Sequence, residues 1–195
     1  MGTEEKILCG IIGPQVHRQL PINLEEVQAY LRRAEELGFH SVWVTEQPGF
    51  NAGASTLEGV TRLSYAAAVT SRLRLGIAVL LITLRNPVHL AKSLASLDQL
   101  SQGRLIVGVG LGTDTGLYKA HGLSPERRVA RFNEALSYIQ RLWTEKDLTF
   151  EGQFWQIRNA NLLPKPFQKP HPPIWFGAHA PAALKRAVRC GSGFI

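Results

Sequence analysis

Leu75-Gly76-Ile77-Ala78-Val79-Leu80-Leu81 is an apolar run without one polar side chain, and its succession by the helix signal Asn86-Pro87 decides the fold. So short and apolar a run reads as a strand covered on both faces, the habit of a parallel sheet. Asn86 then offers an N-cap with Pro87 at the first helical position. Leu90, Leu94, Leu97 and Leu100 recur at helical spacing and read as an inward stripe. Gly103 closes that helix, and Leu105-Ile106-Val107-Gly108-Val109-Gly110 forms the next apolar strand. Strand, helix and strand in close succession make a βαβ unit, whose crossover is right-handed.

The same alternation extends in both directions. Upstream, Ile7 to Ile12 reads as a first strand ended by Gly13-Pro14. A helix comes next, with Asn23 as N-cap, Glu26 in the capping-box position and Gly38 as the stop. Leu24, Val27, Leu31, Ala34 and Leu37 form its apolar face. Ser41 to Thr45 is a second strand, Glu46 to Ser55 a loop, and about Leu57 to Ser71 a second helix. Downstream, Ser124-Pro125-Glu126 signals a fourth helix carrying Val129, Phe132, Leu136, Ile139 and Leu142. Leu148-Thr149-Phe150 and Phe154 to Ile157 then suggest a β-hairpin turning at Glu151-Gly152, and Leu163 to Pro173 is proline-rich. The stretch at about 147–173 reads as an insertion within a single domain spanning 1–195, because the rhythm resumes after it. Pro173 to Gly177 is a fifth strand, Ala182 to Arg189 a fifth helix, and Gly193-Phe194-Ile195 opens a sixth strand.

Repeated βα units leave an open doubly wound sheet or a barrel. The open sheet usually carries GxGxxG after its first strand. Here Gly10-Ile11-Ile12-Gly13-Pro14 is not that turn, and the glycine-rich Gly108 to Gly112 comes after the fourth strand. The expected class is therefore α/β, a (β/α)8 TIM barrel, of which five units and the start of strand six are present. Such a barrel typically takes about 250 residues. On this reading the chain is a fragment, a truncated product or a chain completed by a partner. Missing units would cover the open edges of strands one and five, and without them the chain should aggregate or pair those edges.

With 45% hydrophobic residues among 195, the chain can bury a substantial core. No run approaches the roughly 18 apolar residues of a membrane span. Met1 to Lys6 lacks the order of a secretory signal. The two cysteines form no disulfide framework, so reduced thiols and a cytoplasmic location are expected. The net charge of +7 is scattered over helix faces. A nucleic-acid binder would concentrate it and interleave aromatics, so neither a nucleic-acid nor a membrane partner is expected. No cluster of His with Asp or Glu recurs at strand ends, which disfavours a metal enzyme. Trp155 and Trp175 read as packing residues.

Several stretches, in order along the chain, resemble the luciferase-like monooxygenase family. They are Leu37 to Glu46, Thr70 to Leu80 through Arg85-Asn86-Pro87, Leu97 to Leu105 into Gly108 to Gly112, Leu142-Trp143-Thr144, and Pro164-Lys165-Pro166 leading to Pro172 to Gly177. The resemblance implies a (β/α)8 barrel that binds coenzyme F420, the preferred choice, or FMN at the carboxyl ends of its strands. It implies a hydride transfer or monooxygenation on a small organic substrate, and a homodimer is compatible with it. The alternative is a non-catalytic or truncated flavin-binding relative.

The same resemblance assigns residues. Ala78 and Val79 would lie behind the cofactor ring, at a bulged position where the family carries a non-proline cis peptide; the alternative is an ordinary buried strand end. Gly110, Gly112 and Thr113 would let the backbone approach the ligand, which is also what a tight turn does. Gly177, Ala178 and His179 precede a helix, where the family places the cofactor phosphate; His179 could equally be a surface histidine. Glu46 and Gln47 occupy the place of the family's acidic residue and catalytic histidine. An amide shuttles no proton, so the proton would come from His17 or His179 or not be needed, and Glu46 could be a plain loop carboxylate. The reactive cysteine and phosphate-binding arginine of bacterial luciferase would fall at Gly110 and Leu111, which argues against light emission. The glutamate of a deazaflavin-dependent sugar-phosphate dehydrogenase would fall at Thr113, which argues against that substrate. The loops Glu46 to Ser55 and Leu163 to Pro173 are the expected walls of the substrate site.

Overall fold

The computed structural model describes residues 7–17, 20–46, 55–112, 116–177 and 181–195. Along it run β1 (Gly10–Ile12), α1 (Leu24–Glu36), β2 (Ser41–Val44), α2 (Gly59–Val69), β3 (Arg74–Leu80), α3 (Pro87–Leu100), β4 (Leu105–Val109), α4 (Gly116–Ala120), α5 (Arg128–Thr144), β5 (Leu148–Glu151), β6 (Gln156–Ala160), β7 (Ile174–Phe176), α6 (Pro181–Cys190) and β8 (Gly193–Phe194). A 3-10 turn, Ile82–Leu84, links β3 to α3. Two of the N-caps act as read: Asn23 Oδ1 accepts from the amides of Glu25 and Glu26, and Asn86 Oδ1 from those of Val88 and His89.

Among the described residues one sheet holds β1-β2-β3-β4-β7-β8, every pair parallel, and a second holds the antiparallel hairpin β5-β6. The alternating side chains of the parallel strands divide into two sets. Val42, Val44, Leu75, Ile77, Leu105, Val107, Ile174 and Phe176 turn toward the helices and join Leu63, Leu94, Phe132 and Trp143 in the core. The other set faces a concavity. β2 and β7 are three strand spacings apart, about 14 Å in a flat sheet. Yet the rings of Trp43 and Trp175 meet at 5.1 Å, so the sheet curls into part of a barrel wall around them. Gly76 makes room for this: a Cβ there would come within 2.2 Å of the Trp43 ring.

Several expectations are corrected. Leu100 is 74% exposed, because the stripe through Leu94 and Leu97 continues to the buried Ser101. Val129 is exposed for a similar reason, the α5 stripe running back to the half-buried Arg128. α5 starts after the Ser124-Pro125-Glu126 signal: the Ser124 hydroxyl bonds the Glu126 carboxylate, and the cap residue Arg127 makes no side-chain cap bond. α4 was not anticipated. The hairpin turns at residues 152–155 rather than at Glu151-Gly152. Finally, the fifth strand, β7, is covered by β8, so among the described residues the edge strands of the parallel sheet are β1 and β8.

Candidate functional site at the strand ends

Parallel strands deliver all their carboxyl ends to one rim, and loops at that rim are where such folds place ligands. On β3 the rim is irregular. Ile77 pairs with Val107 and Leu80 with Val109, so β3 spends three residues where β4 spends two. The extra residue is a β-bulge at Ala78-Val79, whose peptide bond is cis. The bulge turns Val79 across the neighbouring strand ends. Its methyls lie 2.4 Å from where a Cβ on Gly110 would sit and 2.6 Å from one on Gly177. Both glycines are held in place, Gly110 donating to the Leu80 carbonyl (3.1 Å) and Gly177 to that of Val109 (3.0 Å). Gly112 comes next with a φ of +72°. Ala78, Val79, Gly110 and Gly177 are thus brought together into a small apolar floor with Gly112 beside it. Gln47, Thr113, Ala178 and His179 lie outside the described residues.

Glu46 stands at the end of β2 with its side chain only 6% exposed. One carboxylate oxygen accepts from the Leu81 amide, the first past β3, and the other from Arg85 Nε (2.8 Å) and Nη2. Arg85 Nη2 also reaches Glu58 Oε1 at 2.7 Å. Glu58 in turn caps α2, accepting from the amides of Val60 (3.1 Å) and Thr61 (2.7 Å). Burial opposes the charge on Arg85, but Glu46 and Glu58 more than offset it, so its pKa is raised. Burial likewise pushes Glu58 up, and the Thr61 and Val60 amides with Arg85 bring it below the ordinary range. The group ties β2, α2 and the bulged end of β3 into one unit.

A second brace comes from α4. The buried Tyr118 hydroxyl donates to the Leu111 carbonyl (2.8 Å) and lies 2.9 Å from the Thr83 hydroxyl. Arg131 of α5 donates to the Thr83 carbonyl at 3.3 Å. Sequence reasoning missed Arg85, Thr83 and Tyr118 as parts of the site. Arg85 falls within a family-like stretch but has no partner nearby in the chain, and nothing local marks the other two.

The proline-rich stretch is corrected as a wall of this site. Gln168 hydrogen-bonds Asp98 and the carbonyl of Leu105, and Arg74 donates to Gln168. Leu105 and Arg74 are the first residues of their strands, so this stretch closes the opposite end. His17 pairs through its backbone with Ser55 and lines a space against α1. Trp175 packs on Trp43, and the guanidinium of Arg131 lies 4.5 Å from the Trp155 ring. Among the described residues no three His, Cys, Asp or Glu side chains converge as a metal site would require, and no helix is long and apolar enough to cross a membrane.

A profile of the luciferase-like monooxygenase family matches residues 8–195. The F420-dependent glucose-6-phosphate dehydrogenase of Kineococcus radiotolerans is 37% identical over 168 residues, covering 84% of this chain and 49% of the dehydrogenase. Among solved structures, the monooxygenase RslO1 from Streptomyces bottropensis has a TM-score of 0.84 at 35% identity, over 96% of this chain and 59% of RslO1. An F420-dependent secondary alcohol dehydrogenase, in complex with an F420-acetone adduct, has a TM-score of 0.82 at 26% identity, over 97% of this chain and 57% of its own. The chain spans about half the length of the curated relatives it matches.

Proposed function

This chain belongs to the luciferase-like monooxygenase family, and from that premise we propose that it forms the cofactor-binding part of an oxidoreductase. Its cofactor is coenzyme F420 in preference to FMN, and its substrate a small organic molecule. The observation that carries this reading is the Val79 bulge seated on Gly110 and Gly177. A flat, largely apolar ring needs a small apolar floor with backbone groups at its margin, and this rim supplies one in which a further Cβ would clash. The preference for F420 rests on relatives whose names carry that dependence. When bound, the deazaflavin ring supplies a hydride donor or acceptor.

Ala78 and Val79 support the ring from behind. Gly110, Gly112 and Thr113 would line its approach, and Gly177, Ala178 and His179 would hold its phosphate. Glu46 is a positioning residue here, since both its oxygens serve Leu81 and Arg85. Gln47 orients without exchanging protons. Catalysis would then rely on holding substrate and ring in register, with His17 or His179 the candidates for any proton required. Thr113 in the glutamate position argues against a sugar phosphate, despite the similarity to a glucose-6-phosphate dehydrogenase. Further βα units complete a (β/α)8 barrel over the β1 and β8 edges, in a cytoplasmic enzyme that is compatible with a homodimer.

Titrating the protein with F420 and separately with FMN, read by fluorescence quenching, tests the cofactor. Saturable quenching by F420 at lower concentration than by FMN is expected. Turnover of an alcohol, imine or enone panel then identifies the substrate class. Binding of neither cofactor would sink the catalytic reading and leave the non-catalytic relative, which Gln47 in the histidine position favours.

A further inference from the structure

We propose that the cavity between α1 and α2 is a second ligand site that takes a small apolar monocarboxylate of about the size of benzoate. The space measures about 190 Å³. Its walls are Val27 and Leu31 of α1, Val42 and Val44 of β2, and Leu63 and Ala66 of α2. One end is closed by Gly13-Pro14 and the guanidinium of Arg62, which donates to the Pro14 carbonyl and lies 3.7 Å from where a Cβ on Gly13 would sit.

Arg62 is the unusual element. It is only 9% exposed, yet none of the ion pairs among the described residues includes it. A guanidinium carries five N–H donors; the Pro14 carbonyl takes one, and the nitrogens it leaves are not sealed in protein but open to solvent or a ligand. The contrast with its neighbours is sharp. Arg85 has two carboxylates, and Arg104 donates to Ser101, Thr70, Leu73 and Ala67. A buried charge without a counterion is costly, and burial accordingly pushes the Arg62 pKa down with nothing opposing it.

An apolar chamber ending in an unpaired cation is complementary to a molecule with an apolar body and one negative end. Size narrows the class. A dry engineered cavity of about 150 Å³ accepts benzene, so this one has room for a ring and a little more, and a carboxylate matches the planar fork of an arginine. A neutral ligand would leave the cation unmatched, and a highly charged one would waste the apolar walls. The site is separate from the strand-end floor. Val42 and Val44 face the helices, and Trp43 between them faces the concave side.

The test titrates the full chain with sodium benzoate and, in parallel, benzyl alcohol, by calorimetry and by NMR of the valine and leucine methyls. Benzoate should bind at least tenfold more tightly than benzyl alcohol, with the largest shifts at Val42, Val44 and Leu63. Arg62→Met should erase that preference while benzyl alcohol still binds. Ala66→Leu, which keeps the cation and narrows the chamber one helical turn from it, should abolish both, and it decides the matter if the Arg62 variant does not fold. Equal affinity for the two probes, no binding of either, or shifts centred on Val79 would overturn the proposal.

Discussion

Val79 packs against two residues that have no side chain, and any atom added to either must displace it. A Cβ on Gly110 would lie 2.4 Å from a Val79 methyl. Gly110→Val is therefore expected to cost about 1–3 kcal/mol through overpacking and to weaken F420 binding at least tenfold, measured by urea unfolding and fluorescence titration. Unchanged affinity would remove Val79 from the cofactor floor. Glu46 makes a second residue-scale case. Glu46→Ala leaves the partly buried Arg85 with Glu58 alone and the Leu81 amide without its acceptor. A loss of about 2 kcal/mol is expected, below the 3–5 of a fully buried pair because Arg85 is 29% exposed. Glu46→Gln, which keeps an acceptor for Leu81, should lose less. Equal losses would show that the amide bond contributes nothing. The placement of Glu46 at a strand end was legible in the sequence. Its partner was not, since Arg85 lies 39 positions away and only the fold brings them together.

Elements are held as much by acceptors in their connections as by their own bonds. Glu35, near the end of α1, accepts from the amides of Ser71 (2.9 Å), Arg72 (2.5 Å) and Leu73 (2.9 Å), fixing the entry to β3. Glu134 of α5 does the same at the hairpin turn for Gln153, Phe154 and Trp155. Burial pushes the Glu35 carboxyl up, and the bonds from Arg72, Leu73 and Ser71 outweigh it, so its folded pKa lies below the ordinary glutamate range. Its contribution is therefore present above the unfolded value of about 4.3 and is lost as pH falls through the lower folded value. Glu35→Gln should be less stable at neutral pH and lose less on acidification, measured as the urea midpoint between pH 7 and pH 3. A parallel shift of both proteins at every pH would contradict this role. The helical stripe is equally open to test. Leu97→Ala should cost about 2–5 kcal/mol, and Leu100→Lys about 0.5 kcal/mol or less, because only Leu97 of the two is buried.

The whole molecule is a curled sheet whose β1 and β8 edges carry apolar side chains into solvent. Ile12 is 63% exposed, Phe194 52%, and Val188 on α6 89%. Unpaired edges beside such residues invite association. The chain alone is expected to self-associate with rising concentration in sedimentation velocity, and Val188→Lys with Phe194→Lys should shift it toward monomer. A chain that stays monomeric at high concentration would show these faces are tolerated in water.

Two periodicities settle what the sequence determined by itself. Apolar runs of strand length alternating with stripes at helical spacing, marked by Asn23, Asn86, Gly38 and Gly103, left little besides a parallel α/β sheet, because local backbone and burial preferences repeat within a few residues. The closeness of Val79 to Gly110 and Gly177, the three-way tie of Glu46, Arg85 and Glu58, the lone cation at Arg62 and the removal of residues 163–173 to the far end were decided by the tertiary structure alone. Each depends on strand register and sheet curvature. These sum contacts between residues far apart in the chain, and no short window of sequence records them.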